Sequence, residues 1–186
     1  MSTGDEPDEW LMSQVANGRR ESLAPLVRRY ASPLLTYLRR MVGCEHRSEE
    51  LFQEVFLQVW LKRQQYQYPR PFRPWLFTIA TNHGRASFRK AKLPSVSLDA
   101  ALATTPVALG PTPDESAMRG ESAQQVAIAV SELPTQQRSV VVLRVWNELS
   151  YAEIGAIVGC GEETARSHMS HGLKALRKHL EPQFAK

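Results

Sequence analysis

The chain has 186 residues, a net charge of +4 and a hydrophobic share of 42%, enough for one domain or two small ones of ordinary globular composition. No apolar run approaches the roughly 20 residues that cross a bilayer. The opening MSTGDEPDEW is too acidic and polar for a signal or transit peptide, so the expected location is cytoplasmic, with no membrane insertion. Two cysteines, Cys44 and Cys160, stand far apart and outside any CxxC pair, which argues against a disulfide framework or a zinc finger.

Asp8 to Ala16 reads as a short helix ended by Gly18. A second helical pattern runs from about Glu21 to Val42, with Pro25 tolerated in its first turn and Pro33 predicting a break near Tyr30–Ser32. Ser48 is the expected N-cap of a third helix, with Glu49 and Glu50 at the positive end of its dipole. Leu51, Phe52, Val55, Phe56, Val59 and Trp60 make its apolar stripe, and Glu50, Gln53, Glu54 and Gln58 fall on the other side. A solvated face is the plain explanation of that second set.

The span QQYQYPRPFRPW holds three prolines and predicts an ordered loop, followed by a helix from Trp75 to about Ala91. From Lys62 to Lys92 the charged residues are all basic, and aromatic rings are interleaved with them. Basic side chains neutralise phosphates and flat rings stack on unpaired bases. Tyr66, Tyr68 and Phe72 are the expected exposed rings. Asn82 and His83 add base-edge hydrogen bonding, and Arg85, Arg89, Lys90 and Lys92 are the phosphate-holding set. Trp75, Phe77, Ile79 and Phe88 are expected in the core.

Residues 93–118 are rich in Pro, Ser, Thr, Gly and Ala, lack aromatics and read as a linker. It divides the chain into 1–92 and 119–186. Thr135 is the expected cap of a helix through SVVVLRVW, whose short flanks favour a buried helix over a strand.

Ser150 to Leu180 reads as two helices around a tight turn. Ser150 and Glu153 form a capping-box pair, and Gly159 sits where the first helix must stop. Thr164, Arg166, Ser167, His168 and His171 lie on the open side of the second helix. Ala165, Met169, Leu173 and Leu176 supply its buried side. This is the pattern of a helix-turn-helix with a major-groove recognition helix, the plainer alternative being an ordinary αα-hairpin. No phosphate loop and no nucleophile–base arrangement emerges, so an enzyme is not expected. Neither His46, Glu49, Glu50 and Glu54 nor Cys160, His168 and His171 offers a matched ligand set, so no metal or cofactor is expected.

With these pieces placed, the chain resembles a bacterial sigma factor of the extracytoplasmic-function group of the sigma-70 family. Three stretches carry the resemblance: Glu49–Trp60 (EELFQEVFLQVW), Pro74–Lys92 (PWLFTIATNHGRASFRKAK) and LPTQQRSVVVLRVWNELS with the helix-turn-helix after it. It implies an all-α fold of two small helical domains, a sigma-2-like 1–92 and a sigma-4-like 119–186, joined by the flexible linker 93–118. It implies core RNA polymerase as partner, through the β′ clamp helices and the β flap, with promoter DNA and an anti-sigma factor as further partners.

On the same resemblance Glu50, Gln53, Glu54 and Gln58 face the polymerase. Tyr66, Tyr68, Phe72, Asn82, His83, Arg85, Arg89 and Lys90 serve the −10 element, and Thr164, Arg166, Ser167, His168 and His171 the −35 element. The chain departs from the family pattern at Ala86, where an Asp is usual, at His83, where a small or apolar residue is usual, and at His168 and His171, where a basic residue is common and histidine is mostly neutral near pH 7. The isolated segment from Arg119 onward is therefore expected to bind DNA poorly.

Promoter elements one and a half to two DNA turns apart lie roughly 50–70 Å from each other. A linker of about 26 residues reaches at most roughly 85–95 Å, so the two domains can span both when it is stretched. Two other function classes stand beside this one: a dimeric helix-turn-helix regulator without polymerase docking, and a module that sequesters another protein. The first leaves the Glu49–Trp60 match unexplained.

Overall fold

A computed structural model describes residues 6–92 and 121–184, which fold into eight α-helices with no strand among them. The first half holds α1 (Asp8–Ala16), α2 (Leu23–Val42), α3 (Glu45–Leu61) and α4 (Phe72–Lys92). The second holds α5 (Glu121–Glu132), α6 (Thr135–Val145), α7 (Tyr151–Val158) and α8 (Glu162–Phe184). The expected linker, residues 93–118, lies wholly outside the described residues.

In the first half, α2, α3 and α4 pack side by side and α1 lies across α2 and the start of α4. The apolar stripes explain this packing. Leu26, Leu34 and Leu38 of α2, Leu51, Val55 and Val59 of α3, and Leu76 and Phe77 of α4 are buried. At the centre the Tyr37 and Phe77 rings meet edge to face with centroids 5.5 Å apart, and the Tyr37 hydroxyl shares a 2.8 Å hydrogen bond with Thr81. That bond spares a fully buried hydroxyl the penalty of going unpaired.

The acidic N-terminal helix works as a clamp. Asp8 takes the Tyr30 hydroxyl at 2.6 Å and pairs with Arg29. Glu9 accepts the backbone N–H of Phe72 at 3.1 Å, capping the first turn of α4 from 63 residues away.

Four sequence expectations change here. Helix α2 runs unbroken through Pro33, because Tyr30, Leu34, Tyr37 and Leu38 are buried on either side and their packing outweighs one lost main-chain bond. Helix α3 starts at Glu45, not at Ser48. Cys44 supplies the extended N-cap, and the Ser48 hydroxyl, one turn in, donates to the Glu45 carbonyl at 2.6 Å. Thr135 is the first residue of α6 rather than its cap, since Pro134 already takes the extended conformation a cap needs. Helix α4 begins at Phe72, three residues earlier than expected, with Pro74 in its first turn.

The two halves touch. Helix α4 packs on α7, and α2 packs on α5 and α6. Buried side chains of both halves form one continuous core, from Leu11 in α1 to Met169 in α8.

Candidate nucleic-acid interface

The helix-turn-helix is built by local chemistry. The Ser150 side chain accepts the Glu153 N–H at 3.3 Å, and the Glu153 carboxylate takes the Ser150 N–H at 2.8 Å. The Ser150 hydroxyl, which also donates to that carboxylate at 2.6 Å, is the main reason Glu153 is held below the ordinary carboxylate range. Gly159 ends α7 with a φ of 79°, a left-handed turn that other residues adopt at a penalty. A Cβ on Gly155 would sit 2.7 Å from the Cys160 carbonyl oxygen, so only glycine lets the turn come this close to α7.

On α8 the buried row is Ala165, Met169 and Gly172, with Leu176 half-buried. Leu173, expected on the buried side, lies off that row and is exposed. Thr164, Arg166, Ser167 and His171 are exposed and His168 is half-exposed, so the structure brings all five expected residues onto the open part of the helix. Arg166 is aimed by its neighbours. It pairs with Glu162 one turn before and lies 4.6 Å above the Tyr151 ring, contacts the sequence did not announce.

The first half is different. Tyr66 and Phe72 were expected as exposed stacking rings, and both are buried. They form an edge-to-face cluster with Trp75 and Tyr30, because the Pro-rich loop folds its rings inward under α1. Burial pushes the Tyr66 hydroxyl up to about 12, and it donates to the Arg70 carbonyl. Tyr68 alone of the three stays exposed, at 61%, beside a cis Tyr68–Pro69 peptide.

On α4 Asn82 is exposed, while His83 Nδ1 lies 3.2 Å from Glu54 of α3. Arg85 reaches into the second half, to the Val158 carbonyl at 3.2 Å and to Gln136. The expectations for the Arg89 and Lys90 side chains fall outside the described part.

Helix α3 carries the acidic face as expected, with neutralisation the sequence did not show. Arg47 donates to Glu50 at 2.7 Å, to Glu54 at 3.0 Å and to Ser87 of α4 at 3.2 Å. The Arg47 bond holds the Glu50 carboxyl below its ordinary range. Glu50, Glu54 and Gln58 make one row at intervals of four, and Gln53, Leu57 and Leu61 make the adjoining row. Leu57 is 56% exposed and Leu61 59%. Sequence reading passed over these two leucines. Their place outside the buried stripe at i, i+4 was the available signal. Together they form a short exposed apolar strip edged by polar groups.

The chain matches the family model for Sigma-70 region 2 over residues 26–93 and that for Sigma-70 region 4 over residues 123–176. The ECF RNA polymerase sigma factor SigW of Bacillus subtilis is 32% identical over 177 residues, which cover 91% of this chain and 94% of SigW. The RNA polymerase sigma factor CarQ of Myxococcus xanthus is 29% identical over 169 residues, covering 91% and 95%. Among solved structures, CnrH in complex with the cytosolic domain of CnrY superposes with a TM-score of 0.72 at 22% identity, over 95% of this chain and 99% of that one. The sigma factor RpoE in complex with the anti-sigma factor NepR from Bartonella quintana gives 0.69 at 20% identity, over 87% and 98%. At these identities the two structures support the fold.

Proposed function

This chain belongs to the sigma-70 family as an extracytoplasmic-function sigma factor, and from that premise we propose how its residues divide the work of promoter recognition. It binds core RNA polymerase and directs promoter-specific initiation of transcription. The two halves correspond to the two matched regions, taken as residues 1–92 and 119–186 about the linker 93–118.

Helix α3 docks on the polymerase, with Glu50, Gln53, Glu54 and Gln58 as the polar row and Leu57 and Leu61 as the apolar one. Helix α8 enters the major groove of the −35 duplex with Thr164, Arg166, Ser167, His168 and His171. Arg166 is the strongest contact, since it is the one full cation of the five and its half-exposed side chain is positioned by Glu162 and the Tyr151 ring. Helix α4 and the loop before it serve the −10 element. Tyr68 and Asn82 are free to meet unstacked bases, and His83 joins them when it leaves Glu54. Arg85, Arg89 and Lys90 hold phosphates, which offsets the few kcal/mol that unstacking a base costs. Tyr66 and Phe72 are the buried supports of that loop and make no DNA contact in this reading.

An anti-sigma factor controls the protein by covering the α3 row and the second half, as suits a chain similar to CnrH and to RpoE, each solved with a partner. The protein performs no catalysis of its own and acts in the cytoplasm, where core polymerase is. No helix among the described residues is long and apolar enough to cross a membrane.

The observation that carries this reading is the order of the two matched regions in one chain, each presenting an exposed face of the right chemistry. Run-off transcription with purified core polymerase tests it. Promoter-dependent transcripts are expected only when this chain is added. Absence of stimulation on every genomic template sinks it.

A further inference from the structure

The protein has five histidines, and three of them have a carboxylate at hand. His46 lies 3.2 Å from Glu50, His83 3.2 Å from Glu54 and His179 3.0 Å from Glu132. His168 and His171, one turn apart on α8, have no such partner among the described residues. The layout of the helix explains the difference. Glu163, Ser167, His171, Lys174 and Lys178 follow one another at intervals of three and four and are all exposed, so they make one line along the outer face of α8. His168 flanks that line and is half-exposed.

Helices α5, α6 and α7 pack against α8. Their charged and titratable groups are Glu121 and Glu132 of α5, Arg138 and Arg144 of α6, and Tyr151 and Glu153 of α7. Glu132 is taken by His179, Arg138 by the Met41 and Leu133 carbonyls, and Arg144 by the Leu149 carbonyl. Tyr151 lies under Arg166, and Glu153 is held in the cap with Ser150.

The charge of the groove-facing part of α8 therefore hangs on the two histidines. From residue 162 to residue 172 the other charged groups are Glu162, Glu163 and Arg166, a net charge of −1. With both histidines protonated the same stretch carries +1. A phosphate backbone repels the first and attracts the second. Lys174 and Lys178 continue the line as cations.

We propose that the outer line of α8 is a phosphate-binding row in which Lys174 and Lys178 are fixed members and His171, with His168 on its flank, joins by taking up a proton, so that acidification strengthens the hold of this helix on DNA. This regulation rests on the −35 role proposed above for α8. A phosphate beside an imidazole favours its cationic form, so binding takes up protons. The contribution of each histidine is present at low pH and is lost as pH rises. Histidine is the side chain whose charge changes within about pH 5–8.

Fluorescence anisotropy of the full chain on a random-sequence duplex, at low salt, tests the row without promoter or polymerase, since phosphate contacts are independent of sequence. Affinity is expected to be about three- to thirtyfold higher at about pH 6 than at about pH 8. The slope of log affinity against log salt should be steeper at the lower pH by about two units, one for each histidine. His168→Gln together with His171→Gln should keep the weaker affinity at both pH values, and His171→Arg should bind more tightly than the wild type at the higher one. His179→Gln, which breaks only the pair with Glu132, should keep the rise. Lys174→Ala and Lys178→Ala should each flatten the slope by about one unit at either pH. A wild type that does not bind the duplex at the lower pH, or whose affinity ignores pH, overturns the proposal. So does a double glutamine variant that keeps the rise, or a pair of lysine variants with unchanged slopes. A rise that vanishes in the double variant, in a chain that stimulates no template with core polymerase, counts against the sigma reading and leaves the row standing.

Discussion

Helices α4 and α8 both face DNA in the proposed function, yet they are built in opposite ways. On α8 the buried row is small and narrow, and Arg166, Ser167 and His171 stand clear of it. On α4 the residues around those assigned to DNA, and two of the assigned ones, His83 and Arg85, also hold the protein together. Phe72 is core, His83 pairs with Glu54, and Arg73 and Arg85 bond to the other half. A helix that reads intact duplex meets a fixed surface and can be finished in advance. One that meets melted strands meets a surface that does not exist until the DNA opens, so its side chains are stored in other contacts. Substitutions on α8 should therefore separate stability from DNA binding, and substitutions on α4 should not.

The largest test of that contrast is Phe72→Ala. It empties the cluster with Tyr30, Tyr66 and Trp75 and should cost about 3–5 kcal/mol. Chemical denaturation is expected to show the loss together with loss of initiation. Retained stability would mean that the loop rings are not core. Gly155→Ala attacks the second half from inside, since its Cβ would meet the Cys160 carbonyl at 2.7 Å. The expected penalty is about 1–3 kcal/mol, read as a lower melting temperature, and a neutral result would show that the turn can shift freely.

Ser150→Ala removes one side of the capping box and should cost about 1 kcal/mol. The same box predicts a pH dependence. The Glu153 carboxyl is depressed in the folded chain, so its contribution is present above the unfolded value and lost as pH falls through the folded one. Stability measured from pH 7 downward should lose this part only below about pH 4, and the loss should be smaller in Ser150→Ala. At the small end, Arg166→Ala should leave the melting temperature unchanged and flatten the salt dependence of −35 binding by about one unit. A changed melting temperature would erase the contrast between the two helices.

Sequence alone reached the features that are settled within a turn or two. Ser150, Glu153 and Gly159 set the helix-turn-helix by contacts three or four residues long, and they stand as expected. Helix α1 runs from Asp8 to Ala16 and Gly18 follows it, also as expected. What stayed hidden depends on partners far along the chain. Tyr66 and Phe72 look exposed in a proline-rich loop until α1 covers them, and only Glu9, 63 residues earlier, shows why Phe72 begins a helix. Pro33 looks like a break until the packing on both sides of it is weighed. Arg85 looks like a phosphate ligand until Gln136 and Val158 occupy it, 51 and 73 residues away. Its residue type indicated the chemistry it can do, and tertiary contact decided what it is doing.

The Glu9 cap has a consequence for the order of synthesis. On the ribosome the acceptor is made long before its donor, and it stays idle while α2, α3 and the loop emerge. When Phe72 and the first turns of α4 follow, the clamp can close, since Asp8, Glu9, Arg29, Tyr30 and Phe72 all lie within residues 6–92. The faces of α2 and α4 that pack on α5, α6 and α7 are then left waiting for the second half. A nascent chain stalled once α4 has cleared the exit tunnel should already resist protease at the proline-rich loop, before the second half has emerged from the ribosome.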